Sequence, residues 1–424
     1  MKNVLVFPCG SEIGLEINKA LAYSTHFKLY GGNSVDDHGK FVYKNYISDI
    51  PFIDKPNFIH SINQIVEQYE IDFIIPAHDS AVLKLSECQN EIKAVIVTSN
   101  LDTCKLCRSK KATYEKFKSL LPTPFVYNHI DDFHFPIFLK PDVGQGSKGT
   151  FKVTQKKELD FYIEKDPSLL ALEYLPGKEY TIDCFTDTNR KLLFAEGRER
   201  VRINNGISVN SIQIKNPKFR ELAEIINQTI TLHGVWFFQV KERINGELVL
   251  MEIAPRIAGT MALFRVTGIN FIQLSLFDRM GYPIDILNNN LEVVLDRALF
   301  SRYSIKLEYS YVYIDFDDTI IINSSVNPDV IRFLYQEKNM GKKLILITKH
   351  KKDINTTLNE FAISNFLFDE ILWLKEGDKK SCYIKNHDSI FIDDSFSERR
   401  EVFDALGIPV FSIDAIESLL YWKV

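Results

Sequence analysis

The chain has 424 residues, 45% of them apolar and 25% charged, with a formal net charge of −5. That length exceeds one ordinary core and calls for two or three domains. The charge balance supplies no electrostatic case for a nucleic-acid partner, and no apolar run is long enough to span a bilayer. The opening MKNVLVFPCGSEIG reads as a first strand and not as a secretory leader, because its short apolar run meets Glu12. A cytoplasmic protein is therefore expected. The six cysteines are scattered, so no disulfide framework is indicated. Cys104 and Cys107 form a lone CxxC without the second pair a zinc site needs. Ordinary thiols on a loop or helix are the plainer reading.

Along the first hundred residues strands and helices alternate. VLVFP (4–8), KLYGG (28–32), IDFIIPA (71–77) and KAVIVTS (93–99) read as strands. EIGLEINKALAYS (12–24), NFIHSINQIVEQY (57–69) and AVLKLSECQ (81–89) read as helices, from apolar residues at helical spacing. This alternation predicts a parallel sheet covered on both faces. From about residue 122 strands dominate, with one helix in IKNPKFRELAEIINQTITLHG (214–234), giving a mixed α+β region. The alternation returns near residue 308 and runs to the end. The expected organisation is an α/β domain over 1–103, an α+β domain over 104–305 and a second α/β domain over 308–424.

Two features of the middle region point to a nucleotide. In KPDVGQGSKGT (140–150) a lysine ends an apolar strand and a glycine-rich loop follows. Such a loop lets backbone N–H groups approach an anion while the lysine supplies a point charge; a flexible hairpin is the alternative. In VWFFQVKERINGELVLMEIAPR the Asn245-Gly246 pair predicts a two-residue hairpin turn. Counting outward from it sets Gln239 directly opposite Glu252 on one face. An amide oxygen and a carboxylate so placed suit Mg²⁺ held against phosphates; a surface hydrogen-bonded pair is the alternative.

Together these stretches resemble the ATP-grasp superfamily, and most of all ligases related to the carbamoyl-phosphate synthase large subunit. The likeness spans roughly residues 1–300 and includes SKKATYEKFKSLLPTP (109–124), FPIFLKPDVGQGSKG (135–149), LEYLPGKEYTID (172–183) and FQVKERINGELVLMEIAPR (238–256). It implies that Lys110 and Lys140 contact ATP phosphates, under a lid containing Gly144, Gly146, Ser147 and Gly149. Glu173 and Leu175 would lie at the adenine and Glu179 at the ribose. Gln239 and Glu252 would bind Mg²⁺, and Arg256 would meet the transferred phosphoryl group. One position departs from the pattern. Ala254 stands where an asparagine ligand is usual, so either water fills the place or the metal site is altered. Arg198, Arg200 and Arg202 alternate in GRERVRINNG and would share one strand face. They could hold a substrate carboxylate or simply be solvated.

The last region carries VYIDFDDTIIIN (312–323). Asp315 and Asp317 sit two apart at a strand end, on one side. Covalent phosphate-ester hydrolysis needs such a pair, one carboxylate to attack phosphorus and the other to move a proton. Thr348 ends the strand LILIT, Lys379 and Lys380 open a predicted helix after EGD, and Asp393 and Asp394 end SIFIDD. These four segments look like the motif set of the haloacid dehalogenase superfamily. The resemblance implies a Rossmann-like domain with Asp315 as nucleophile, Asp317 as general acid/base and Thr348 on the phosphate. Lys380, or else Lys379, would stabilise charge. Asp315, Asp317, Asp393 and Asp394 would form the Mg²⁺ site. The spacing between motifs leaves no room for a large cap domain, so the site takes a bulky phosphate or is covered by the rest of the chain.

The reading as a whole is a bifunctional enzyme. An ATP- and Mg²⁺-dependent ligase, joining a small carboxylate to an amine through an acyl phosphate, is followed by a phosphatase with its own phosphorylated substrate. Neither a nucleic acid nor a membrane is an expected partner. Two other readings share the same residues. One is a kinase-like ATP-grasp domain. The other is a nucleotide-sensing domain, degenerate at Ala254, that regulates the phosphatase.

Overall fold

The computed structural model describes residues 1–127, 134–144, 146, 148–298 and 301–420, the side chains of 41, 301, 302 and 304 aside. The first strands are β1 (Lys2–Phe7), β2 (Phe27–Gly32), β3 (Asn45–Ile47), β4 (Phe73–Pro76) and β5 (Val95–Ile96). They form a parallel sheet in the order β3-β2-β1-β4-β5. β1 is buried from Val4 to Phe7, as a strand covered on both faces must be. Helix α1 (Glu12–Leu21) covers one face with Ile17 and Leu21, and Ser11 caps it by accepting from the Gly14 amide at 3.1 Å. Strand order reverses between β1 and β4, which opens a crevice at their carboxyl ends.

The middle of the chain is mostly antiparallel. A small sheet pairs β6 (Ile137–Pro141) with β7 (Phe151–Val153) and β8 (Leu169–Glu173) in the order β7-β6-β8. A seven-stranded sheet follows, built from β9 (Glu179–Thr186), β10 (Leu192–Asn204), β11 (Ile207–Ile214), β12 (Gly234–Glu242), β13 (Leu248–Ala254), β14 (Val293–Arg297) and β15 (Ser301–Ile305). Its order is β13-β12-β9-β10-β11-β14-β15. The helix Pro217–Thr229 packs Phe219, Ala223 and Ile226 against Trp236 and Phe238 of β12, which covers one face of this sheet.

The hairpin between β12 and β13 differs from expectation in an instructive way. Its turn is not the two-residue type. The Arg243 amide donates to the Glu247 carbonyl at 2.9 Å around a three-residue loop. Gly246 sits there at φ 81°, a conformation that glycine adopts without steric cost. This slips the register by one from Val240 to Glu242, and a bulge at Met251 restores it. Gln239 therefore still opposes Glu252.

The last strands are β16 (Tyr311–Ile314), β17 (Ile321–Ile322), β18 (Ser325–Val326), β19 (Lys343–Thr348), β20 (Glu370–Trp373), β21 (Ser389–Ile392) and β22 (Val410–Phe411). Five of them make a second parallel sheet, β20-β19-β16-β21-β22, while β17 and β18 form a small hairpin. The order again reverses beside the first strand, here between β16 and β21. The segment at Lys379 and Lys380 does not open an α-helix. It makes a single 3₁₀ turn over Lys380–Cys382, because the chain must turn again at once to reach β21. No large cap interrupts this region: between β16 and β19 lie only the hairpin and the helix Pro328–Asn339.

The two ends of the chain are packed together. One apolar core contains Val4 and Ile17, Phe264 and Phe271, and Ile392 and Leu419. Arg265 is buried and donates to Glu16 at 2.8 Å and to the Asp414 carbonyl at 2.7 Å. Among the described residues no helix is long and apolar enough to cross a membrane.

Candidate functional site

At the switch point of the first sheet, a cleft of about 410 Å³ lies against β12 and β13. A smaller cavity of about 130 Å³ reaches towards the three-stranded sheet. Lys110, Arg200, Gln239 and Glu252 line both, so the two compartments meet at the opposed Gln239–Glu252 pair.

The smaller compartment collects most of the residues expected at a nucleotide. Lys140 is the penultimate residue of β6 and is almost fully buried; its Nζ donates to the Tyr114 hydroxyl at 2.6 Å. Burial, assisted by the neighbouring charge of Lys110, pushes its pKa down to about 7. Burial also lowers that of Lys110, whose Nζ lies 3.2 Å from the Asp142 carbonyl. Leu175 is buried in the wall, and Glu173 and Glu179 line it. The Glu173 carboxylate is engaged by Arg243, at 2.5 Å from Nη2, and by the Phe125 amide at 3.1 Å. Glu179 receives Arg200 and, at 3.5 Å, Lys241. Gly144 and Gly146 line both compartments, and Gly149 takes φ 70° beside Pro141. Ser147 lies outside the described residues.

The arginine row is split: Arg198 and Arg200 line the larger compartment and Arg202 does not. Arg198 is 1% exposed and committed to buried Asp183, at 2.7 Å through Nε. A charge so deep needs an opposite charge beside it, and Arg198 still lines the larger compartment. Arg200 turns into the junction of the compartments, where it donates to the Gln239 Oε1 at 3.1 Å and the Gly206 carbonyl at 2.6 Å. Arg202 pairs with Asp296 at the surface and does not line the cleft. The reason is a bulge at Val201, which breaks the alternation.

The larger compartment contains residues that the sequence reading passed over. Arg256 forms a two-pronged pair with Asp79, at 2.6 and 2.7 Å. That pairing holds the Asp79 carboxyl below its usual range although burial acts the other way. Asp79 opens the helix after β4, at the switch point, which is the signal that could have found it. Arg297, at the end of β14, lines the cleft with a buried Nη1 that has no partner among the described residues. Cys104 and Cys107 also face the cleft, from the helix Leu101–Arg108, and burial raises both thiols. They meet no further ligand of the kind zinc requires: the converging group of potential ligands among the described residues is elsewhere.

That group is Asp315, Asp393 and Asp394, whose carboxylates approach within 4.8 Å of one another at the carboxyl ends of β16 and β21. Lys380 is buried and bridges Asp315 at 2.5 Å and Asp393 at 2.6 Å, whereas Lys379 is exposed. Burial opposes the Lys380 charge, yet the two carboxylates more than offset it and keep the lysine protonated. Burial and the negative charges of Asp393 and Asp318 push Asp394 up to about 6. Thr348 is fully buried at the end of β19, and its hydroxyl accepts from the His350 amide at 3.2 Å. Asp317 is not part of the converging carboxylates, contrary to its expected place among the metal ligands. It lies beyond the strand end, where strict alternation no longer governs, and its oxygens sit 2.9 and 3.0 Å from the Nδ1 of His350. His350 was not singled out in the sequence, although it follows Thr348 by two residues. Thr319 ties the first motif to the last by accepting from the Asp394 amide at 3.1 Å.

A family model described as "ATP-grasp in the biosynthetic pathway with Ter operon" matches residues 165–293. The chain contains an ATP-grasp domain. A D-alanine–D-alanine ligase from Petrotoga mobilis is 26% identical over 161 residues, covering 32% of this chain and 54% of that protein. The chain thus spans about half the length of this ATP-grasp relative. The biotin carboxylase domain of 2-oxoglutarate carboxylase from Hydrogenobacter thermophilus, in complex with MgADP and bicarbonate, superposes with a TM-score of 0.59. It is 13% identical, over 70% of this chain and 74% of that one. N5-carboxyaminoimidazole synthetase from Staphylococcus aureus, complexed with ADP, gives a TM-score of 0.57 at 18% identity, over 70% and 82%. An L-amino acid ligase from Bacillus licheniformis gives 0.56 at 16%, over 70% and 79%. At these identities the likeness establishes a shared fold.

Proposed function

We propose that the chain is a bifunctional enzyme: an ATP-dependent carboxylate–amine ligase followed by a phosphatase. The first reading is carried by the opposed Gln239 and Glu252 at the junction of two compartments, with Lys110 and Lys140 beside them. ATP would occupy the smaller compartment and the acceptor substrates the larger. Relatives named as D-alanine–D-alanine ligase and L-amino acid ligase join a carboxylate to an amine by their names, which supports the same reaction class here. A substrate carboxylate oxygen attacks the γ-phosphorus and ADP leaves. The amine then attacks the acyl phosphate carbon and orthophosphate leaves. Arg256, steadied by Asp79, would meet the transferred group. The Gln239 and Glu252 oxygens are hard donors on one face and fit Mg²⁺. Ala254 contributes no donor, so water would complete the sphere. When bound, the ion neutralises charge on the phosphates during transfer.

The second reading is carried by Lys380 set between Asp315 and Asp393, with Asp394 converging on them. Asp315 would attack the phosphorus of a monoester and form an aspartyl phosphate. Asp317, held by His350, would protonate the leaving oxygen and then deprotonate the attacking water. Thr348 and Lys380 would bind the phosphate oxygens. Three converging carboxylates balanced by one lysine leave an excess of negative charge, which fits a hard divalent ion held by Asp315, Asp393 and Asp394. The proposed limits are 1–103, 104–305 and 308–424.

Separate single-site variants test both halves. Glu252→Ala is expected to abolish substrate-dependent ADP formation while leaving phosphomonoester hydrolysis. Asp315→Asn is expected to lower hydrolysis by about 10³-fold or more while leaving ADP formation. Loss of both activities in either variant, with the fold intact, would contradict two independent sites.

A further inference from the structure

The carboxylates at the end of the second parallel sheet lie beneath an ion pair. Asp315 is 6% exposed, Asp393 1% and Lys380 2%. β16 runs between β19 and β21, and all three are parallel. Lys349 directly follows β19. Glu398 sits beyond the end of β21, in the first turn of the helix Phe396–Leu406. The Lys349 Nζ nevertheless meets the Glu398 Oε1 at 2.6 Å. A contact between those two places must cross the carboxyl end of β16, where Asp315 stands. The side chains are 24% and 23% exposed, so the pair is the outer layer over far more deeply buried groups.

A phosphate monoester brings close to two negative charges at neutral pH. The buried cation at this site is already committed: Lys380 bridges Asp315 and Asp393. Arg399 donates to the Asp393 and Asp394 carbonyls at 2.6 and 2.7 Å. Lys351, Lys352 and Lys379 are exposed. Lys349 is different, because it adjoins Thr348 and its ion pair lies where a phosphate would enter. Glu398 is able to release it. As the third residue of its helix, its carboxylate keeps the favourable field of the unpaired N–H groups there. A lysine ammonium is a point charge on a flexible stem and moves readily from one anion to another.

We propose that Lys349 is a further substrate-binding residue of the phosphatase site, held across its mouth by Glu398 until the dianion of a phosphate monoester takes it. The inference rests on the phosphatase reading. It adds a second lysine to the phosphate's partners and makes Glu398 a competitor of the substrate.

The account predicts opposite effects from the two halves of one ion pair, which a structural staple would not give. The test uses the full chain with Mg²⁺. Its readouts are calorimetric binding of inorganic phosphate and the KM for para-nitrophenyl phosphate. Glu398→Gln frees the lysine and should lower both constants about two- to fivefold, the worth of a partly exposed ion pair. Lys349→Met removes the cation and should raise both about tenfold, the worth of a charged hydrogen bond. Lys349→Arg keeps the charge and should stay within threefold of wild type. A thermal midpoint within the wild-type range for each variant separates these effects from misfolding. Shifts in the same direction for Glu398→Gln and Lys349→Met, or no shift in either, would overturn the inference while leaving the phosphatase reading in place. Absence of any Asp315-dependent hydrolysis in the wild type would overturn the phosphatase reading, and this inference with it.

Discussion

Lys140 shows how much chemistry one buried side chain can carry. Burial and Lys110 hold its pKa at about 7 against an ordinary 10.5. The folded, nucleotide-free protein therefore binds fewer protons than the unfolded chain between those values. Its stability should rise with pH across that window, and this contribution is lost as pH falls through about 7. A triphosphate beside the lysine restores the charge. Calorimetry of ATP binding at pH 8, in buffers of different ionisation enthalpy, should show uptake of about one proton, falling towards zero at pH 6. Lys140→Met should abolish the uptake. Arg198 and Asp183 make the opposite case, a buried pair in which each charge offsets the other. Asp183→Ala strands the guanidinium and should cost about 3–5 kcal/mol in urea unfolding, and an Asp183→Leu, Arg198→Met double replacement should recover most of it. The sequence displayed the arginine spacing but not its partners. Asp183 lies on the neighbouring strand, and pairing across strands follows from register, which spacing along one strand does not contain.

At the scale of elements, most strands and helices were legible because their apolar periods are long and unbroken. The hairpin of β12 and β13 was legible for a partly mistaken reason. The turn holds one residue more than Asn-Gly predicts and the bulge at Met251 compensates, so the Gln239–Glu252 opposition survives two departures that cancel. The 3₁₀ turn at Lys380 was misread because GDKK carries helix-start residues while the tertiary path allows only one turn. A contact between elements supplies a further prediction. Gly206, at the tip of β10 and β11, takes φ 77°, and a Cβ there would lie 2.2 Å from the backbone of Gly146 in the glycine loop. Gly206→Ala should push that loop from the nucleotide and raise KM for ATP about tenfold. Gly246→Ala, at φ 81° with nothing within 4 Å of the added carbon, should cost only about 1–2 kcal/mol of backbone strain and leave KM unchanged.

At the scale of the molecule, two parallel sheets with the same strand order bracket an antiparallel ATP-grasp region, and each presents polar residues where its order reverses. The changes in strand–helix alternation near residues 122 and 308 made that plan visible. What they could not show is the contact between the two ends. Arg265 meets Glu16, 249 residues away, and Asp414, 149 away, and no local pattern encodes such distances. The shared core of the first and last regions implies that one cannot be removed without exposing apolar surface of the other. The first and last regions are therefore expected to unfold together, and the proposed phosphatase activity to require the full chain.

The most direct measurement is ADP and orthophosphate release by the Asp315→Asn protein, with ATP, Mg²⁺ and a panel of small carboxylates and amino acids supplied singly and in pairs. Silencing Asp315 removes phosphate made by the second site. Equal amounts of ADP and orthophosphate, appearing only when a carboxylate and an amine are both present, are the predicted result, with Ala254 no obstacle to turnover. ATP bound without turnover across the panel, or ADP formed with a stable phosphorylated product and no free phosphate, would contradict a ligase.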